Sequence, residues 1–238
     1  AGAVYLSGFG DYYKILNCTF IDNHGSAGGA IFTYANLTVE DTIFINNTAL
    51  NSGGTIYSVK KDLTLNNIYI ENSSAKYGGA LFLQQNSGTS WIDGVVYPGH
   101  DTFYIRNSTF VNNKAWMDND YEMSGQGGVI FIGYDTLATG FIDNCTFINS
   151  TAEDKGGAII NYMGNVTITN SNFINSSSKL DGGAIYNEGY YNEDQGKEYT
   201  ANMVIDGCLF ENTSGNNGGV IFNSNYLSNM ELINSTFI

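Results

Sequence analysis

Apolar residues in this chain come in runs of three to five, bounded by Gly, Asn and Ser, and the repeat units carry no 3.6-residue helical period. Such runs predict short β-strands. The most regular run follows a double glycine: GGAIF at 28–32, GGTIY at 53–57, GGALF at 78–82, GGVIF at 127–131, GGAII at 156–160, GGAIY at 182–186 and GGVIF at 218–222. The tail of one more copy opens the chain as Gly2-Ala3-Val4-Tyr5. A second run keeps phase with the first: NCTFIDN at 17–23, DTIFINN at 41–47, NNIYIEN at 66–72, NSTFVNN at 107–113, NCTFINS at 144–150, NSNFINS at 170–176, GCLFENT at 207–213 and NSTFI at 234–238. A third and weaker run precedes it, as LTV at 37–39, LTL at 63–65, VTI at 166–168 and MVI at 203–205.

The double glycines recur in steps of 25, 25, 49, 29, 26 and 36 residues, so the longer steps hold extra material. A near-constant period of this size marks a stacked repeat array. A leucine-rich horseshoe would show a Leu–Asn frame, and a propeller would need four antiparallel strands in a repeat of about forty residues. Three strands per turn predict an all-β parallel β-helix, a single-stranded solenoid of the pectate-lyase-like kind, with about eight coils of roughly 25 residues spanning 1–238.

Like positions of successive coils should then ride over one another in columns. The motif aromatics Phe20, Phe44, Tyr69, Phe110, Phe147, Phe173, Phe210 and Phe237 are expected inside. The next position, Ile21, Ile45, Ile70, Val111, Ile148 and Ile174, accepts Glu211 in the seventh unit and should face outward. In the glycine motif, Ile31, Ile56, Leu81, Ile130, Ile159, Ile185 and Ile221 form an aliphatic inner column. Strand alternation then sends Phe32, Tyr57, Phe82, Phe131, Ile160, Tyr186 and Phe222 outward. Asn23, Asn46, Asn47, Asn72, Asn112, Asn113, Asn149, Asn175 and Asn212 crowd the turns, where asparagine tolerates left-handed backbone and can form amide ladders.

Three stretches break the period, near 83–104, 114–126 and 187–202, and are expected to be loop insertions beside the coil. The chain starts and stops in mid-repeat, which reads as one solenoid segment of a larger protein. It contains a single proline, as ladders that need every amide require. No run of 18 apolar residues exists, so no direct membrane insertion by a helix of this segment is expected. The net charge is −14, and Arg106 is the only arginine, which argues against nucleic acid and anionic lipid as partners. The segment is expected to be monomeric.

Cys18, Cys145 and Cys208 share the column two residues before the motif aromatic. Two turns at roughly 4.8 Å each place the nearest pair beyond the ~7 Å reach of a disulfide. Small core fillers are expected. No catalytic residues are assigned: the two histidines, His24 and His100, are far apart in sequence, no Ser/His/Asp set stands out, and Arg106 reads as a surface residue. Asp118, Asp120 and Glu122 alternate like the oxygen ligands of a calcium loop, against the plainer reading of a solvated acidic loop. Ca2+ is thus the one cofactor to consider. Trp91, Trp116, Tyr121, Tyr190, Tyr191 and Tyr199 are flat amphipathic rings in the insertions and are the candidate ligand-binding residues.

The paired GGAI and FxxN motifs resemble the polymorphic outer membrane protein repeats of chlamydial surface proteins. The NSTFxNNxAxxxGGAIY form, with its Asn, Ile and Tyr bias and few cysteines and prolines, is similar to the adhesin-like proteins of methanogenic archaea. The resemblance implies a right-handed coil and an exported, extracellular, cell-surface location. It also implies a non-catalytic adhesin that binds a glycan or protein on another cell. The alternatives are a polysaccharide lyase or hydrolase of the pectate-lyase-like type, or a passive stalk. Eleven N-x-S/T sequons, at Asn17, Asn36, Asn46, Asn72, Asn107, Asn144, Asn149, Asn165, Asn175, Asn212 and Asn234, coincide mostly with the repeat and would suit a glycoprotein.

Overall fold

The computed structural model describes residues 1–8, 11–59, 62–84, 90–92, 95–97, 101–118, 124–133, 138–192, 197–224 and 226–238, with 90–92, 95–97, 192 and 197 described by backbone alone. The chain winds into a parallel β-helix. Three sheets of eight strands run along it, so there are eight coils. The glycine-motif sheet starts at Val4–Leu6 and ends at Ile221–Asn223, the middle sheet runs from Tyr12–Leu16 to Ser228–Ile233, and the aromatic-motif sheet runs from Thr19–Ile21 to Thr236–Phe237.

A fourth element adds to the three expected per coil. Six short strands, His24–Ala27, Thr48–Ser52, Ser74–Ala75, Lys114–Ala115, Thr151–Ala152 and Ser177–Ser178, form a short sheet between the aromatic motif and the next double glycine. These strands, mostly Ser, Thr and Ala, carry no hydrophobic alternation. Stacking of the flanking strands sets their pairing instead.

The double glycine makes the sharpest bend for two separate reasons. Its first residue sits in the left-handed region, at φ 62° in Gly53 and 64° in Gly156, which only glycine enters without cost. Its second residue lies under the next coil: a Cβ on Gly54 would collide with the carbonyl oxygen of Gly79.

Register places Ile31, Ile56, Leu81, Ile130, Ile159, Ile185 and Ile221 in one column, with Val4 ahead of them. All but the two end members are fully buried. The phenylalanines of the aromatic motif form a second inner column. Rings 147 and 173 stack with centroids 4.7 Å apart, and rings 173 and 210 at 4.8 Å, within 6° of parallel. Burial of each such ring is worth about 1.5–3 kcal/mol, and stacking adds about 0.5–1.5 kcal/mol.

One expected member is displaced. Tyr69 pairs with Ile43 and Thr109, while Ile70 pairs with Phe44 and Phe110. Ile70 is therefore the buried member and Tyr69 points outward, its hydroxyl donating to Glu71 Oε2 at 3.0 Å. The motif of this coil begins at Asn67, one residue later than the string NNIYIEN suggests, with Asn67 taking the left-handed corner at φ 52°. Glu71 then joins Glu211 in the outward column.

Polar ladders hold the corners. Asn72 donates to Asn46 at 3.1 Å, Asn149 to Asn112 at 2.9 Å and Asn175 to Asn149 at 3.1 Å, all between left-handed asparagines. In the cysteine column, the Ser171 hydroxyl donates to the Thr169 carbonyl at 2.8 Å and accepts the Cys145 amide at 3.1 Å. The three cysteines are free thiols, two of them buried.

Candidate functional site

The glycine-motif sheet turns a column of rings outward, and their packing limits what they can do. Phe32 stacks on Tyr57 at 4.7 Å, Tyr57 on Phe82 at 4.9 Å and Phe82 on Phe131 at 4.8 Å, all within 9° of parallel. Ring faces therefore meet ring faces along the rod, and only edges reach outward. Tyr57 donates to Gln84 Oε1, and burial pushes its phenol up to about 12. Towards the C-terminal coils the column disappears under a second apolar layer, in which Tyr162, Met163 and Tyr199 cover Phe131, Ile160 and Tyr186.

The hairpin Tyr190–Asn192 with Lys197–Tyr199 supplies part of that cover. Tyr199 is buried and serves packing, Tyr191 is half-buried, and Tyr190 is exposed. Trp91 lies on the strand Ser90–Ile92, which pairs antiparallel with Val95–Tyr97; its side chain lies outside the described residues. Tyr121, Asp120 and Glu122 also lie outside the described residues, as does His100. Asp118 forms an ion pair with Lys76, and its amide donates to Ser124 Oγ at 2.7 Å. Among the described residues no group of three or more His, Cys, Asp or Glu is arranged to hold a metal ion.

Trp116 is the predicted residue around which the structure builds a site. It follows the short strand Lys114–Ala115, and its amide donates to the Ala75 carbonyl at 3.0 Å, so the ring leaves the coil from a fixed root. The Lys76 ammonium stands 5.4 Å from the ring centroid and is itself paired with Asp118. The next amide, of Met117, donates to Glu153 Oε2 at 2.9 Å, and Lys114 Nζ lies 2.6 Å from Glu153 Oε1. These bonds, the one from Lys114 first, hold the Glu153 carboxyl below the ordinary carboxylate range.

The ring lines a groove of about 660 Å³ on the outer face of the short sheet, together with His24, Ser26, Thr48, Leu50 and Ser74. His24, Thr48 and Ser74 are in register on three successive coils, and His24 and Thr48 are hydrogen-bonded to each other. His24 begins the first strand of the short sheet. Leu50 is 67% exposed at the groove. Sequence reasoning found Trp116 and missed the rest, because the other lining residues come one to three per coil and carry no motif. The only signal available was the column itself, since positions 24, 48 and 74 are related by the period.

The groove offers an apolar ring, an exposed leucine, two hydroxyls of a stacked column and an imidazole. The imidazole and one of these hydroxyls are the hydrogen-bonded pair His24 and Thr48, and no carboxylate is among the described residues that line the groove.

The family model of the Chlamydia polymorphic membrane protein (Chlamydia_PMP) repeat matches residues 17–34, 41–59 and 107–133. Each matched stretch holds an aromatic motif, and each reaches or passes through the following glycine motif. No curated protein and no solved structure matches the chain.

Proposed function

We propose that this chain is a non-catalytic, adhesin-like segment displayed at a cell surface, which uses its eight-coil rod to present the Trp116 groove to a ligand on another cell or surface. The observation that carries the reading is the anchoring of Trp116. Its ring is held by a backbone bond at its root and by Lys76, at a groove whose polar floor is fixed by strand register. A site preorganised in this way loses little side-chain freedom on binding. The repeat match supports the surface location, since it joins the chain to a repeat of membrane proteins. The few cysteines and the Asn-rich ladders favour an exported archaeal protein of the adhesin-like kind, with the exposed sequon asparagines as acceptors for glycans.

The stalk reading draws on a different observation. Core columns and corner ladders run through the coils with few breaks, as a spacer requires. Beads coated with the chain or with a Trp116→Ala variant, offered to cells and to polysaccharide-coated surfaces, separate the two. Attachment that the variant loses supports the adhesin; equal behaviour of both, with no attachment, leaves a stalk.

A further inference from the structure

We infer that the groove beside Trp116 takes an uncharged saccharide, a ligand class that rests on the reading of this face as the binding surface. The floor is a column of small polar side chains. His24, Thr48 and Ser74 follow one another on adjacent coils, which rise about 4.8 Å per step. Donors and acceptors therefore repeat along the groove, as hydroxyls repeat along an extended sugar chain. The walls are different. Leu50 and the Trp116 ring are apolar and both line the same space. A pyranose has C–H faces that pack on an indole and a rim of hydroxyls that bond to polar side chains, so the division of floor and wall fits it. The groove volume of about 660 Å³ falls within the range of ligand clefts and has room for an oligosaccharide segment instead of a single small ion.

Charge selects among sugars. The lysines that flank Trp116 are both engaged, Lys76 with Asp118 and Lys114 with Glu153. A uronate, sialylated or phosphorylated ligand would have to draw one of them from its carboxylate, and it would approach a chain of net charge −14. A neutral sugar meets neither cost. The outward rings of the glycine-motif sheet do not compete for it, because their faces are already stacked on one another.

The chain has two tryptophans, so a Trp91→Phe background leaves Trp116 as the single indole reporter. That protein is titrated with cellotriose, maltotriose, mannotriose, N-acetylated chitotriose and trigalacturonate while the emission is followed. Saturable change with at least one neutral trisaccharide is expected, insensitive to salt between ~0.01 and ~1 M. By calorimetry, Trp116→Ala with an unchanged far-UV spectrum should bind that sugar at least about tenfold more weakly. Leu50→Lys, at an exposed position, should weaken it too and serves if the tryptophan variant does not fold. Salt-screened binding of trigalacturonate in preference to every neutral sugar overturns the ligand class and leaves the groove as a site. No saccharide binding, with attachment to cells still lost in Trp116→Ala, overturns the saccharide and keeps the adhesin reading. No binding and no attachment removes both.

Discussion

The carbonyl oxygen of Gly183 occupies the space that a Cβ on Gly157 would need, and the carbonyl of Gly219 does the same to Gly183. The second glycine of every motif but the last is thus required by its neighbour one coil on, and not by its own dihedral angles. Gly157→Ala should cost about 1–3 kcal/mol or more by overpacking against rigid backbone. Gly219 is the control, because nothing lies within 4 Å of a Cβ there. Gly219→Ala should stay within about 0.5 kcal/mol of the parent. Denaturant titration of both variants checks the pair; equal losses would mean the glycines are selected by conformation alone.

The neighbours Tyr69 and Ile70 test the register of the third coil. Ile70 fills the inner column between Phe44 and Phe110, so Ile70→Ala should cost about 2–5 kcal/mol. Tyr69 stands where Thr19, Thr109 and Thr146 stand in other coils. Tyr69→Thr should be nearly neutral. Thermal unfolding of the two variants decides it, and a larger loss at position 69 would restore the register the bare motif suggests.

That coil also shows what a sequence of this type reveals. The columns of Ile in the glycine motif and of Phe in the aromatic motif were legible because nearly every coil repeats them, and stacking rewards repetition. Register failed where Asn66-Asn67 doubles the corner residue and Ile68-Tyr69-Ile70 offers apolar side chains on both faces. The short sheet was invisible, since Ser74-Ala75 or Ser177-Ser178 carries no strand signal and is paired only because its neighbours are. Tyr199 reads as a loop ring and is a packing residue, buried in the outer apolar cluster that also holds Phe131, Ile160 and Tyr186. Trp116 was found by its type. Its groove partners His24, Thr48 and Ser74 could be joined to it only by counting coils.

The cysteine column predicts a simple chemical count. Burial pushes the Cys145 thiol up to about 12 and raises that of Cys208, while Cys18 lies exposed in the first coil. The thiolate is the reactive form. A maleimide or disulfide reagent should therefore label one thiol quickly in the folded chain and all three after denaturation. Rapid labelling of two or three in the native state would contradict the burial of this column.

Asp154 makes stability depend on pH. Burial pushes its carboxyl above the ordinary range and the charge of Asp181 adds to this, against the hydrogen bond from Gln126 and the charge of Lys155. A carboxyl raised in the folded state contributes stability that is present below its unfolded pKa and is lost as pH rises through the folded value. Asp154→Asn keeps an acceptor for Gln126 Nε2, now 2.7 Å from Asp154 Oδ2, and removes the buried charge. The variant should melt a few degrees higher than the parent at neutral pH, and the gap should close as pH falls towards about 4. A gap that persists in acid would assign the gain to something other than ionisation.

The corner beside the aromatic motif shows how one coil can instruct another. Asn47 accepts the amide of Asn23 at 3.1 Å and donates to the carbonyl of Phe20 at 3.0 Å, both in the preceding coil. Asn113 repeats the arrangement with the Ser73 amide at 2.9 Å and the Ile70 carbonyl at 3.2 Å. Ser150 and Ser176 hold the same position in later coils, and their buried hydroxyls have no hydrogen-bond partner. At this corner the serine side chain does not reach the groups of the preceding coil that asparagine bonds. By the symmetry of the repeat, Ser150→Asn would place its amide to accept from the Asn113 backbone and donate to the Phe110 carbonyl. Two bonds replacing one unsatisfied hydroxyl should stabilise the rod by about 1 kcal/mol or more. A shift of the denaturation midpoint to higher denaturant at an unchanged slope is the expected result. A destabilised variant would show instead that coil spacing at this corner has closed around the smaller residue.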